Sequence, residues 1–154
     1  ACALAKGIAS GLPLGAMGVV EKLVDALPPG THASTFGGNP VACAASLAVL
    51  QIFDDEKLID NCERMGAYLG ERLIELVAGA PALLEARGRG LLRGVRLAPG
   101  RDPQRALAAV REQGVLLSIA GADVLRFTPP LCVTRTEIDE GVAAVERVLA
   151  QGLA

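Results

Sequence analysis

Residues 34–53 read STFGGNPVACAASLAVLQIF, and this stretch decides how the chain folds on either side of it. Asn39 followed by Pro40 is typical of a helix start, because an Asn side chain accepts a free backbone N–H and Pro lacks one. Residues 28–38 are dense in Gly, Pro, Ser and Thr, which predicts a loop. We therefore predict a loop that ends at Asn39 and a helix that begins at Pro40.

Helical periodicity continues from Pro40 to about residue 77, with a break predicted at the turn-like Asp-Asp-Glu of residues 54–56. The first half of this segment is small and apolar, so we predict that it is buried. The second half is amphipathic, and we place the boundary between two structural units between residues 53 and 54. Its apolar stripe comprises Leu58, Cys62, Met65, Leu69, Leu73 and Leu76.

Short strands and helices flank this region and predict an α/β fold. Upstream, residues 12–20 predict a short buried strand, and residues 21–27 predict one or two helical turns. Downstream, strands and helices alternate. The predicted elements are two strands within 83–98 joined by a glycine-rich bend, a helix at 102–114 capped by Asp102, strands at 115–120 and 124–128, and a helix that begins at Thr134 or Thr136.

Charge excludes some classes of function. A formal net charge of −2 over 154 residues leaves no basic surface for nucleic acid or for an acidic membrane. Lys6 and Pro13 interrupt the apolar amino-terminal stretch, which argues against a membrane span. Residues 1–53 contain only four charged side chains, so we predict that this segment packs against another domain or subunit.

Cysteine and histidine usage predicts no metal site. The cysteines at positions 2, 43, 62 and 132 share no CxxC spacing, and His32 is the only histidine. Scattered cysteines of this kind indicate reduced, mostly buried thiols in a cytoplasmic protein. His32 has no nucleophile partner by spacing, and we interpret it as a loop residue.

The motif RGRGLLRG, residues 87–94, is a near match to two functional patterns. Its glycines follow GxGxxxG rather than the GxGxxG of a dinucleotide loop, and no helix follows at once, so we favour structural bends. The arginines at 87, 89, 93 and 96 have no aromatic neighbours for base stacking. For these arginines we favour a solvated face or local ion pairs.

Three features have the chemistry of a functional site. Lys6 lies among Ala, Gly, Ile and Leu, and is either a snorkelling or ion-paired lysine or a desolvated amine able to form a Schiff base. Ser34 and Thr35 stand beside glycines and before a helix, which suits a phosphate, although hydroxyls are routine in turns. Arg126 lies in the apolar strand VLRF before a double proline, and its partner is either a structural carboxylate or that of a substrate.

Taken together, the segments of the chain resemble the class III, pyridoxal-phosphate-dependent aminotransferases, most closely their acetylornithine branch, over essentially the whole length. The resemblance implies the fold type I transferase fold. Residues 1–53 are then the end of the cofactor-binding large domain and dimer core, and residues 54–154 are the small carboxyl-terminal α/β domain. The matching segments are LAKGIASGLPLGAM at 4–17, GTHASTFGGNPVACAASLAVL at 30–50, RGRGLLRGVRL at 87–97 and VLRFTPPLCVTRTEIDEGV at 124–142.

The resemblance also implies a role for each candidate residue. Lys6 matches the catalytic lysine that holds pyridoxal 5′-phosphate covalently, and Thr35 matches a threonine that binds the cofactor phosphate across a homodimer interface. Ser34 matches a position that approaches the substrate, and Arg126 matches an arginine that receives the substrate carboxylate. The implied reaction is transamination between an acetylornithine-type amino donor and 2-oxoglutarate.

Several alternatives stay open. Ornithine and 4-aminobutyrate aminotransferases, and an amino-acid racemase on the same fold, share much of the pattern. The family's phosphate-binding glycine turn, ring-stacking aromatic residue and ring-nitrogen aspartate normally lie upstream of the lysine. We therefore expect this chain to be the carboxyl-terminal part of an enzyme and to be inactive alone. A different class of function is a non-catalytic interaction module derived from the family.

Overall fold

The chain, seen here in a computed structural model, divides into two compact units, Ala1–Lys57 and Leu58–Ala154. The structure describes residues 1–31 and 33–152. The interpretation of His32 as a loop residue therefore lies outside the described residues.

The first unit is built on one long helix, whose start agrees with the prediction. The Asn39 side chain accepts the backbone N–H of Ala42 at 2.9 Å, and Pro40 occupies the first turn. Two short strands of this unit pair antiparallel. The elements are strand β1 (Cys2–Leu4), a 3-10 helix (Lys6–Ala9), strand β2 (Ala16–Gly18), a second 3-10 helix (Glu21–Ala26) and helix α1 (Pro40–Asp55).

Two burial predictions for this unit are wrong. Strand β2 is exposed along its length because it pairs only with β1 and has both faces open. Helix α1 buries Ala42 and Ser46, whereas Val41 and Leu47 are each 69% exposed. The unit has too few elements to cover an apolar helix on all sides. Apolar surface of this extent is typical of a face that another protein segment covers.

The second unit is a four-stranded antiparallel sheet with three helices packed against it, which confirms the predicted α/β class. The strand order is β3-β4-β6-β5. Each pair of neighbouring strands is antiparallel. The elements are α2 (Leu58–Gly79), β3 (Leu83–Arg89), β4 (Leu92–Leu97), α3 (Pro103–Glu112), β5 (Ser118–Ala120), β6 (Val124–Phe127) and α4 (Arg135–Ala150).

The core of the second unit forms between the helices and one face of the sheet. The predicted stripe of α2 is confirmed, with Cys62 half-buried and its other members buried. Helix α2 begins after a break at Lys57, whose φ of +50° ends α1. On β6, Leu125 and Phe127 point into the core while Arg126 lies on the opposite, exposed face. We call that second face the open face of the sheet.

The RGRGLLRG motif forms the β3–β4 hairpin, so the preference for structural bends is confirmed. Gly88 and Gly90 have φ of +125° and +53°, a region that favours glycine. Arg87 pairs with Glu85 at 3.5 Å, and Arg96 pairs with Asp123 at 2.8 Å. The predicted local ion pairs are confirmed for these two arginines.

Helix caps in the second unit follow the sequence. Asp102 accepts the Gln104 N–H at 2.9 Å at the start of α3. At the start of α4 the choice between two threonines is settled, because Thr134 forms a capping box with Glu137. The Thr134 backbone and hydroxyl donate to the Glu137 carboxylate, both at 2.8 Å, and hold the pKa of Glu137 below its ordinary value.

Candidate functional site

Lys6 opens the first 3-10 helix in an unusual backbone conformation. Its φ is +56°. Among the described non-glycine residues, only Ser10 and Lys57 also have a positive φ. This left-handed conformation costs about 1 kcal/mol for a residue with a Cβ, and such positions cluster at functional sites. The side chain is exposed, and among the described residues it has no ion-pair partner. Its amine is therefore accessible, and any desolvation requires a segment that covers it.

The hydroxyls of Ser34 and Thr35 stand exposed in the turn before α1. Neither has a hydrogen-bond partner within residues 1–31 and 33–152. The turn is tight, since a Cβ on Gly37 would lie 2.9 Å from the Ser34 Cβ. Gly38 adopts a φ of +68°. The two glycines thus shape a loop that leaves both hydroxyls open to a ligand.

The amino end of α1 offers less to an anion than the sequence indicates. The Asn39 side chain already accepts the Ala42 N–H, and Pro40 has no N–H to donate. Binding of a phosphate in this loop would therefore depend on the hydroxyls of Ser34 and Thr35 more than on the helix end.

Arg126 lies in the centre of the sheet, between β4 and β5. Its Nε donates to the Ser118 Oγ at 2.9 Å. Among the described residues no carboxylate lies within ion-pair distance of Arg126; Asp123 and Glu85 pair with Arg96 and Arg87 instead. A structural carboxylate partner, one of the two alternatives for Arg126, is thus missing from the described chain.

The four candidate residues divide between the two units. Lys6, Ser34 and Thr35 belong to the first unit and Arg126 to the second. Within the first unit no hydrogen bond joins Lys6 to either hydroxyl among the described residues. Sequence reasoning missed Ser118. The short turn between β5 and β6 is the sequence feature that indicates it, because a short turn places residues 118 and 126 opposite each other.

The cysteines depart from the prediction. All four are free, but Cys2 and Cys132 are exposed, and Cys43 and Cys62 are half-buried, so the prediction of mostly buried thiols is wrong. Partial burial raises the pKa of the Cys62 thiol. The described part of the chain contains no group of three His, Cys, Asp or Glu residues that could hold a metal ion. Within the same part, no helix is both long and apolar enough to cross a membrane.

Comparison with known proteins finds relatives along nearly the whole chain. The family model for aminotransferase class-III matches residues 1–149. Acetylornithine aminotransferase of Gloeobacter violaceus is 46% identical over 149 residues, which cover 96% of this chain and 37% of that protein. Ornithine aminotransferase of Staphylococcus carnosus is 37% identical over 148 residues, with coverage of 96% and 36%.

Solved structures agree with the sequence relatives. A PLP-bound amine transaminase from an uncultivated Pseudomonas species matches with a TM-score of 0.89 and 34% identity, over 97% of this chain and 38% of that one. The chain therefore spans little more than a third of the length of the proteins it matches.

Proposed function

The chain belongs to the class-III aminotransferases, a family of pyridoxal-phosphate-dependent enzymes, and on that premise we propose that it provides the catalytic lysine and a substrate-binding arginine of an aminotransferase. The observation that carries the proposal is Lys6, an exposed amine with no ion-pair partner among the described residues, held at a φ of +56° in the segment that resembles the one carrying the family's cofactor lysine.

The residues present fit part of pyridoxal phosphate. Lys6 offers the primary amine that binds an aldehyde, and the open hydroxyls of Thr35 and Ser34 suit a phosphate and a polar substrate group. The groups that would contact the cofactor ring and its nitrogen are not among these residues. We assign them to the part of the relatives that this chain does not cover.

Each residue then has a defined task. Pyridoxal phosphate, when bound, supplies an electron sink for the bond that breaks at the substrate carbon. The Lys6 amine would hold the cofactor covalently, and the same amine, when free, would be the base that accepts the proton from the substrate carbon that bears the nitrogen. Arg126 fixes the position of that carbon by binding a substrate carboxylate at two points. Thr35 donates its hydroxyl to the phosphate.

The relatives include two kinds of aminotransferase, which narrows the choice of amino donor. We propose N-acetylornithine as the amino donor and 2-oxoglutarate as the acceptor, supported by the higher identity to an acetylornithine aminotransferase. Ornithine is the second candidate donor, supported by the relative from Staphylococcus carnosus. Both donors carry a carboxylate, as Arg126 requires.

We further propose that residues 1–53 are the end of a large cofactor-binding domain and residues 54–154 a small domain, within a cytoplasmic homodimer. The exposed apolar side chains of α1 support an interface with further protein, and four unpaired cysteines support a reducing compartment.

Steady-state kinetics of the full-length enzyme that contains this chain test the proposal. We expect the highest kcat/KM with N-acetylornithine when it is compared with ornithine and 4-aminobutyrate, each with 2-oxoglutarate. Lys6→Ala should abolish turnover with the fold retained. Lys22→Ala, which removes another exposed lysine of the same unit, should retain turnover. Full activity of Lys6→Ala, or no transamination of any of the three donors, would contradict the proposal.

A further inference from the structure

We propose that Ser118 is a positioning residue that orients the guanidinium of Arg126, so that the two terminal nitrogens of Arg126 meet one substrate carboxylate end-on. The inference rests on the proposed function, because it takes a substrate carboxylate as the ligand of Arg126. It adds Ser118 to that site and specifies how Arg126 binds the carboxylate.

The contact between the two residues is built into the sheet. Strands β5 and β6 pair antiparallel with Ser118 directly opposite Arg126, so both side chains lie on the open face. Side chains in this relation have Cβ atoms about 5 Å apart, within reach of a direct hydrogen bond. Arg126 Nε donates to Ser118 Oγ at 2.9 Å. Two paired strands, rather than a mobile loop, therefore hold the donor and the acceptor.

No side chain supports Arg126 from the other neighbouring strand. Its partner on β4 is Gly94, and a Cβ there would lie 2.7 Å from the Val124 Cγ1. That approach disfavours any larger residue at position 94, and in the described part of the chain Ser118 is the one side chain that hydrogen-bonds the guanidinium. Without it, Arg126 would regain the rotamer freedom of a long exposed side chain, which binding would then have to remove.

The Ser118 contact determines which donors remain. A guanidinium has five N–H donors and can bind a carboxylate side-on, through Nε and one terminal nitrogen, or end-on, through both terminal nitrogens. Because Ser118 occupies Nε, the end-on edge is the one left for a bidentate ligand.

A serine suits this task better than an acid. Its hydroxyl accepts the Nε–H without neutralising Arg126, whereas a carboxylate at position 118 would compete with the substrate. No ion pair to Arg126 is present in the described part of the chain, where Asp123 pairs with Arg96 at 2.8 Å and Glu85 with Arg87 at 3.5 Å. The two terminal nitrogens of Arg126 therefore remain available to a carboxylate from outside the sheet.

Substitution of Ser118 in the full-length holoenzyme tests the inference. For Ser118→Ala we expect the KM for 2-oxoglutarate to rise about tenfold, the effect of one lost hydrogen bond to a charged group. The dissociation constant of glutarate, a non-reacting dicarboxylate, should rise in parallel by calorimetry, while kcat stays within about twofold. Ser118→Thr, which retains the hydroxyl, should restore both constants.

A double-mutant cycle separates this inference from the proposed function. Arg126→Gln should raise the KM strongly, and adding Ser118→Ala to it should change nothing further, because Ser118 acts through Arg126. An independent second effect would overturn the inference, as would an unchanged KM for Ser118→Ala, or a joint loss of kcat and thermal stability that Ser118→Thr fails to restore. An unchanged KM for Arg126→Gln alone would overturn both the inference and the role of Arg126.

Discussion

Arg93 on β4 donates from Nη2 to the backbone carbonyl of Gly66 on α2 at 2.9 Å. The same guanidinium donates to the carbonyls of Gly88 and Gly90, each at 3.0 Å, so one half-buried side chain joins the hairpin to the helix. The approach depends on small residues in α2, since a Cβ on Gly70 would lie 2.9 Å from the Arg93 Cζ. The glycine and arginine pattern that resembles a binding loop is therefore explained by packing.

Replacement of Gly66 by Ala should destabilise the second unit. The new Cβ would lie 2.4 to 2.6 Å from backbone atoms of Gly90, which can move only by shifting the hairpin. We expect a loss of about 3 kcal/mol in the free energy of unfolding, the upper range for overpacking. Gly141→Ala is the matched control, because it is also helical and meets no atom within 4 Å.

Urea denaturation of the chain measures both variants. Gly141→Ala should gain up to about 1 kcal/mol from helix propensity. Equal stabilities of Gly66→Ala and the unsubstituted chain would show that α2 and the hairpin do not approach as described.

Asp139 should make the stability of the second unit depend on pH. It accepts the Tyr68 hydroxyl at 2.8 Å and the Arg72 Nε at 2.9 Å, which joins α4 to α2. The Tyr68 hydrogen bond, with help from Arg72, holds the pKa of Asp139 below its ordinary value despite partial burial. A lowered pKa in the folded state stabilises the fold above the unfolded value of about 3.9, and the stabilisation is lost as pH falls through the folded value.

Asp139→Asn should therefore lower the Tm at pH 7 by a few degrees, and the difference from the unsubstituted chain should shrink as pH falls below about 4. Glu140→Gln, on an exposed neighbouring position of the same helix, should change the Tm little. A Tm difference for Asp139→Asn that stays constant from pH 7 to pH 3 would refute the assigned cause.

Local patterns predict most of the second unit. The stripe of α2 and the caps at Asp102 and Thr134 depend on residues close in sequence, and all appear in the structure. The break predicted at residues 54–56 falls at the end of that range, since α1 continues to Asp55 and the positive φ is at Lys57. The opposite faces of Arg126 and its neighbours Leu125 and Phe127 follow from alternation along β6, whereas the burial of Val124, on the same face as Arg126, does not.

Burial in the first unit and the surroundings of the candidate residues could not be predicted in the same way. An apolar pattern such as that of α1 identifies a face that needs a partner, but not whether this chain contains the partner. The Ser118–Arg126 contact depends on strand register, which the length of a turn sets and composition does not. The burial of Lys6 could not be predicted either, because its apolar neighbours in sequence do not cover its side chain in the structure.

Arg126→Lys in the full-length enzyme should lower kcat/KM by at least about 100-fold, near 3 kcal/mol, because lysine keeps the charge and loses the two-point fork. Arg87→Lys is the matched control, since it changes another exposed arginine of the same sheet. Kinetics measured with both the amino donor and the keto acid check the effect. Unchanged values for Arg126→Lys with both substrates would rule out its role in binding a carboxylate.

In the isolated chain, the two units should differ in hydrogen exchange. The first unit buries few side chains, Ala9, Ala42 and Ser46 among them, whereas the second has a continuous core between sheet and helices. We expect amides before Phe53 to exchange at least about 100-fold faster than the core amides of α2 and β4. Similar protection in α1 and α2, measured by mass spectrometry, would contradict this difference.

In the proposed function, Lys6 holds the cofactor. Borohydride reduction of the full-length holoenzyme, followed by proteolysis and mass spectrometry, should place a pyridoxyl group on Lys6. Lys57 is the internal control, because it is also exposed and shares the left-handed backbone, with a φ of +50°. A label confined to Lys6 is the predicted result, and a label on Lys22 or Lys57 in its place would contradict the account.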